Sequence, residues 1–153
     1  MGKVCKVDVT EIQQLREKLE EFKNFNKLAV MKKIAQEIAQ ELVDTVIPKT
    51  PYKTDLLQKS WKISDVRVRG KNVLIYVYND AKNEDGQYYA SFVEYDHDQE
   101  VGRYVKKLGK RLVQPTIEGQ FFLKKSVEIV DDMTPAIIKR ELEKALKDLL
   151  NAK

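Results

Sequence analysis

Residues 61–78 read WKISDVRVRGKNVLIYVY, and in this stretch the apolar side chains recur with the two-residue step of a strand. Trp61 and Ile63 alternate, then Val66 and Val68 alternate in the opposite phase, so a strand kinked by a bulge near Ser64 and Asp65 is expected. Gly70 and Lys71 follow, and a glycine in the first central place suits a two-residue type II′ turn. In the returning strand Val73, Ile75 and Val77 face one way, while Leu74, Tyr76 and Tyr78 face the other. Both faces are apolar or aromatic, which predicts a central strand or one covered on its outer side by a partner subunit.

Upstream the period is helical. Leu28, Met31, Ile38, Leu42 and Val46 line one face, widened by Ile34 and Ala35, with Lys32, Lys33, Gln36, Glu37, Gln40, Glu41 and Asp44 opposite. Either Asn24 or Asn26 is placed to cap this helix, and Pro48 and Pro51 end it, because proline lacks the amide hydrogen. An earlier amphipathic helix is expected from Thr10, with Gln13 completing a capping box and Ile12, Leu15, Leu19 and Phe22 on one side. Residues 1–9 read as a frayed terminus. Downstream, residues 79–87 form a polar loop, and Tyr89, Phe92 and Val93 in YYASFVEY have the spacing of about two helical turns. Residues 97–118 read as a long mobile loop or hairpin. Thr134 followed by Pro135 signals the start of a last helix that packs Ile138, Leu142, Ala145, Leu146 and Leu149. The expected class is α+β in one domain over residues 1–153, an antiparallel sheet of three to four strands with a long N-terminal helix and a C-terminal helix on one face.

Composition narrows the function classes. The chain has 153 residues, 42% hydrophobic and 34% charged, enough for one packed core. No run approaches the roughly 18 apolar residues of a membrane crossing, and the opening MGKVCKVDVT has no secretion-signal character. The single cysteine, Cys5, excludes an intramolecular disulfide and fits a reducing cytoplasm. Lys plus Arg outnumber Asp plus Glu by 28 to 24, too mild an excess to demand a nucleic acid. The densest polar segment, EYDHDQE, sets Glu94, Asp96, Asp98 and Glu100 around the only histidine, His97. It lacks the helical or paired-cysteine spacing of zinc sites, and a solvated turn is the simpler reading, so no catalytic residue, metal or cofactor is assigned. No phosphate-cradling glycine string or nucleophile elbow is present. Arg103, Lys106, Lys107, Lys110 and Arg111, with Tyr104 among them, place five cations in nine residues that suit a solvated loop tip or contact with phosphates.

Three segments, in order, resemble the head–tail joining or tail-completion proteins of long-tailed bacteriophages and related defective prophages. TPYKTDLLQKS, residues 50–60, is similar to the family's exit from the long helix through Thr50, Pro51, Thr54, Leu57 and Ser60, with Asp55 in place of the family's glycine. YASFVEYDH resembles the second motif through Tyr89, Ala90, Val93, Glu94 and Tyr95, again with an aspartate, Asp96, for glycine. GQFFLKKS resembles the third, in which Phe122 and Leu123 start the final helical region. Aspartate tolerates turns better than most residues, so both turns are expected to persist with altered capping. Thr50 and Thr54 are expected to bond local backbone, Leu57 and Trp61 to seat the hairpin on the helix, and Glu94 to need a donor, for which the hydroxyls of Thr54 and Ser60 are the candidates.

The resemblance implies a structural particle protein without catalysis, a ring at the neck or proximal tail. Its partners would be copies of itself, in a ring within the particle with the isolated chain either a ring or a monomer, and adjoining neck and tail proteins, with transient contact between the basic loop and packaged DNA. It would be made in the bacterial cytoplasm and carried into the virion, with no membrane involved. Two other classes remain open at this point: a small nucleic-acid-binding protein using the basic loop with Tyr76, Tyr78 and Tyr104, and a hydrolase centred on Glu94 and His97.

Overall fold

The computed structural model describes residues 26–51 and 55–151. The helix expected from Thr10, the frayed start, Cys5, Asn24 and Thr54 lie outside these residues. The described chain opens with α1, Lys27–Val46. Asn26 is its cap, accepting the Ala29 N–H on its side-chain oxygen at 3.0 Å. Ala39, Val43 and Val46 are buried, while Leu28 and Met31 are exposed, so the buried line lies one residue from the expected one over its first two members. Pro48 converts the exit into a single 3-10 turn, Ile47–Lys49, as the proline rule predicts. A short helix, α2 (Asp55–Lys59), buries Leu57 and leads into the strands.

Four strands form one kinked hairpin: β1 (Trp61–Ile63), β2 (Arg67–Arg69), β3 (Asn72–Leu74) and β4 (Val77–Asn79). Ile63 pairs with Val77 and Ser64 N–H bonds to the Tyr76 carbonyl, whereas Arg67 pairs with Leu74. Asp65 and Val66 therefore oppose Ile75 alone, the expected bulge. It restores the phase, so that Ile63 and Val68 share the face of Val73 and Val77. Gly70 has φ +62° while Lys71 does not enter the left-handed region, as a type II′ turn requires.

The fold is α+β, as expected, with a long first helix, a C-terminal helix and antiparallel pairing throughout the described strands; the strands form four two-stranded ladders in place of one sheet of three to four. After β4 the chain closes a small loop through a Lys82–Tyr88 bridge and enters α3, Ala90–Glu94, which carries it away from the hairpin edge. The segment expected as a loop or hairpin is an arm of nested pairs. Its β5 (His97–Asp98) pairs with β8 (Thr116–Ile117), and β6 (Tyr104–Val105) pairs with β7 (Lys110–Arg111). A 3-10 turn, Lys106–Leu108, makes the tip, closed by Gly109 at φ +63°.

The last helix, α4, runs from Phe122 to Asn151, and Pro135 lies inside it. The start expected at Thr134 is thus corrected to Phe122, where the family resemblance had placed it. Pro135 removes one interior hydrogen bond, but packing on both sides of it holds the helix through the interruption. The Thr134 hydroxyl donates to the Val130 carbonyl at 2.8 Å one turn earlier. With the start twelve residues upstream, the buried line is Phe122, Ser126, Val130, Ile137 and Glu141, and Leu142 is exposed.

The core gathers Val46, Leu57, Ala81 and Phe122, with Trp61, Tyr89, Ala90, Val93 and Leu123 packed around them. Each large side chain buried there contributes about 1.5–3 kcal/mol. α4 packs along α1, and the inner hairpin face also lies on α1. Between the helices Glu141 is buried, with Arg140 Nε at 3.3 Å and Lys33 Nζ at 3.5 Å. Burial pushes its carboxyl up, but the Arg140 hydrogen bond and the Lys33 charge outweigh this and hold it below the ordinary glutamate value.

Candidate functional site

The three motif segments meet at one junction. Thr50, 2% exposed, donates its hydroxyl to the Val46 carbonyl at 2.8 Å and accepts the Trp61 indole N–H at 2.9 Å. The same side chain thus closes the helix exit and fixes the first strand. Trp61 sets its ring edge against Phe122, with centroids 6.1 Å apart. Asn79 donates to the Leu57 carbonyl at 2.7 Å and ties the end of β4 back to α2. Pro51 borders a neighbouring cleft rather than the core. Asp55, standing for the family's glycine, lies in the first turn of α2 and pairs with Lys59 at 2.7 Å.

Glu94 is the centre of the second half. It is 3% exposed, and its two carboxylate oxygens accept the backbone N–H groups of Leu123 at 2.8 Å and Lys124 at 2.9 Å. These are the second and third residues of α4, so Glu94 caps a helix that begins 28 residues further along the chain. The pairing expected with the Ser60 hydroxyl is corrected, and Thr54, the other expected donor, lies outside the described residues. Ser60 donates to the Leu56 carbonyl at 2.6 Å, and the positive end of the helix supplies a better match for a buried carboxylate.

Backbone contacts reinforce this cap. Gln120 N–H bonds to the Val93 carbonyl at 3.0 Å and Phe121 N–H to the Glu94 carbonyl at 3.0 Å. Gly119 lies so close to residues 94–96 that a Cβ there would sit 2.5 Å from the Glu94 carbonyl oxygen. Asp96, the second aspartate in place of glycine, is not left-handed; its carboxylate accepts the Gly119 N–H at 2.7 Å. Phe121 does take a left-handed conformation, φ +51°, immediately before the helix, and its ring meets Tyr95 edge-on at 6.3 Å. Thr50, Leu57, Tyr89, Ala90, Val93, Glu94, Phe122 and Leu123 therefore act together in packing or capping, whereas Tyr95 is half-exposed above them. Sequence reasoning missed Gly119, Asn79 and Phe121; only the glycine just before the paired phenylalanines gave a readable signal.

The acidic segment is occupied by structural bonds. Besides the roles of Glu94 and Asp96, Asp98 accepts the Thr116 hydroxyl at 2.9 Å across β5 and β8. His97 sets its ring against Phe92 with centroids 5.6 Å apart. Both oxygens of Glu94 accept helix amides, so its carboxylate is engaged in the cap. Among the described residues, no group of three or more His, Cys, Asp or Glu side chains is placed to hold a metal.

A cleft of about 650 Å³ lies between the core and the arm, lined by Pro51, Leu56, Tyr89, Phe92, Val93 and Ile117 among others. Lys107 at the arm tip reaches Glu84 of the small loop at 2.6 Å. The Lys107 hydrogen bond and charge hold the Glu84 carboxyl below its ordinary value. Of the other arm cations, Arg111 donates to the Gly102 carbonyl at 2.6 Å, while Arg103, Lys106 and Lys110 are exposed, with Tyr104 exposed beside them. On the outer face of the first hairpin, Tyr76 and Tyr78 are 54% and 46% exposed. The expectation that β4 is a central strand is corrected: among the described strands it pairs only with β1. No described helix is long and apolar enough to cross a membrane.

The family model described as "Bacteriophage HK97-gp10, putative tail-component" matches residues 13–95, more than half of the chain and both of its first two motif segments. No curated relative and no solved structure matches the chain. A long helix, a kinked hairpin and a core in which Thr50, Leu57, Val93, Glu94 and Phe122 are spent on packing or capping agree with that match: the chain belongs to the HK97-gp10-like family of bacteriophage tail components.

Proposed function

We propose that the chain is a head–tail joining or tail-completion subunit that assembles with copies of itself into a ring at the neck or proximal end of a phage or prophage tail. The observation that carries this reading is the outer hairpin face, where Leu74 is half-buried and Tyr76 and Tyr78 are half-exposed on the same side of the ladder. Uncovered apolar surface on one side of a two-stranded ladder marks an interaction surface. Family membership supplies the kind of particle it belongs to. The subunit works by fit, without chemistry, and its partners are its own copies and the adjoining neck and tail proteins. It is made in the bacterial cytoplasm and ends in the neck or tail of the virion. Arg103, Lys106 and Lys110 on the arm are free to meet the phosphates of packaged DNA.

Deleting the gene from its parent phage tests the reading: filled heads and detached tails should accumulate, and normal numbers of joined particles would refute it. The exposed cations beside Tyr104 favour one second reading, a nucleic-acid-binding protein acting through the arm. Binding of the isolated monomer to DNA, weakening steeply with salt in the absence of any ring, would support that reading instead.

A further inference from the structure

The bulge determines what the hairpin presents outward. Lys62 pairs with Tyr78, Ser64 bonds to Tyr76, and Arg67 pairs with Leu74, so these side chains share one face. The extra residue at the bulge brings Arg67 and Arg69 onto the same face as Lys62 rather than the opposite one. Lys62 forms an ion pair with Asp80, which leaves Arg67 and Arg69, both exposed, as the net charge beside two half-exposed tyrosines.

The chain also carries a surface of opposite sign. From Ser126 to Ile138, α4 has three acidic residues, Glu128, Asp131 and Asp132, and no Lys or Arg. All three are exposed, and Val127, Ile129 and Met133 between and beside them are 37–40% exposed. We infer that the outer face of the β1–β4 hairpin docks on this stretch of α4 in a second copy of the chain. The inference rests on the ring reading above and names the two faces of its contact. Sign and apolar content agree: among the described residues α1 lies on the inner hairpin face, and α4 of the neighbour would form a layer on the outer one. The two faces are different surfaces of one subunit, so the contact is heterologous and propagates from copy to copy. A nucleic acid is the poorer occupant, because Lys62 is neutralised by Asp80 and only Arg67 and Arg69 remain on this face, whereas Arg103, Lys106 and Lys110 of the arm are all exposed.

Two charge-reversed proteins test the contact by sedimentation velocity over a concentration series. Arg67→Glu with Arg69→Glu, and separately Asp131→Lys with Asp132→Lys, should each raise the concentration needed for assembly on the order of tenfold or more. Mixing the two in equal amounts should restore assembly, since reversed faces match each other and intact faces match each other. Unchanged circular dichroism controls for folding, and Tyr76→Ser with Tyr78→Ser serves as a charge-neutral replacement if a reversed protein misfolds. Wild-type assembly that neither reversal weakens overturns the contact while leaving the ring reading intact. Weakening by the hairpin change alone, or loss of DNA binding with assembly unchanged, also overturns it. A wild-type chain that stays monomeric at every concentration overturns the contact as well, while the gene deletion decides the ring reading.

Discussion

Replacing Glu94 by glutamine probes the junction with little change in volume. The carboxylate satisfies two helix amides at 2.8 and 2.9 Å, but an amide side chain has one acceptor oxygen and turns its NH2 toward the other N–H. One charge-assisted bond is lost and the other becomes neutral, which costs about 2–3 kcal/mol given about 1.5–3 kcal/mol per charged bond. Glu94→Ala, which abandons both amides, should cost about 3–4 kcal/mol after allowing for water entering the space. For a chain of this size each kcal/mol lowers Tm by about 2–4 °C, so the glutamine variant should melt about 4–12 °C below wild type. Urea titration measures the loss directly, with an unchanged slope showing that the unfolded state is the same. Native-state hydrogen exchange adds the location: Leu123 and Lys124 amides should lose protection while the Val43 and Val46 amides follow only the global change. A glutamine variant within about 0.5 kcal/mol of wild type, with Leu123 and Lys124 still protected, would refute the capping role.

Gly119→Ala forces a methyl group to within 2.5 Å of the Glu94 carbonyl and should cost at least about 2 kcal/mol by urea titration, or prevent soluble expression. Trp61→Phe keeps most of the ring but drops the bond to Thr50, and should destabilise the protein by about 1–2 kcal/mol in the same assay. Pro135→Ala supplies the missing amide in mid-helix and should raise stability by about 1–3 kcal/mol in thermal and urea unfolding, an expectation that an equal or lower midpoint would contradict. Glu84 should titrate below the usual glutamate range in a carbon-detected NMR experiment, and Lys107→Ala should return it upward. Because its folded value is depressed, the pair's contribution is present above the unfolded pKa and is lost as pH falls through the folded one; both groups are solvent-exposed, so high salt should shrink the shift.

Local signals were legible wherever the chain solves its problem locally. Pro48, the bulge after Ile63 and Gly70 each act on residues within a turn of themselves and lie where the sequence placed them, and Asn26 is the one of the two candidate asparagines that caps α1. The alternation of Val73 to Tyr78 was also correct, but alternation alone does not count strands, and the chain spends its later β residues on a separate arm. The start of α4 was misread because Thr134-Pro135 is a strong local cap, while the true cap, Glu94, acts from 29 residues before the Leu123 amide it holds. That mistake shifted the apolar face as well, since Glu141 looks like a surface residue until Lys33 and Arg140 are brought beside it. The basic arm was readable as a charge cluster, but its attachment through Lys107 to Glu84 depends on two loops meeting across a cleft.

The arm leaves the scaffold just after Asp96 and returns just before Gly119, and those two residues are bonded to each other. Its departure and return points are therefore held at a fixed spacing by contacts that do not involve residues 99–115. The interval between them can lengthen, shorten or change charge with no demand on the helices beneath, because loop closure is already enforced at its base. Such a mount separates tip from socket: new tips can be tried on an unchanged base, and a grafted hairpin of another length should leave the melting of the body almost unaltered.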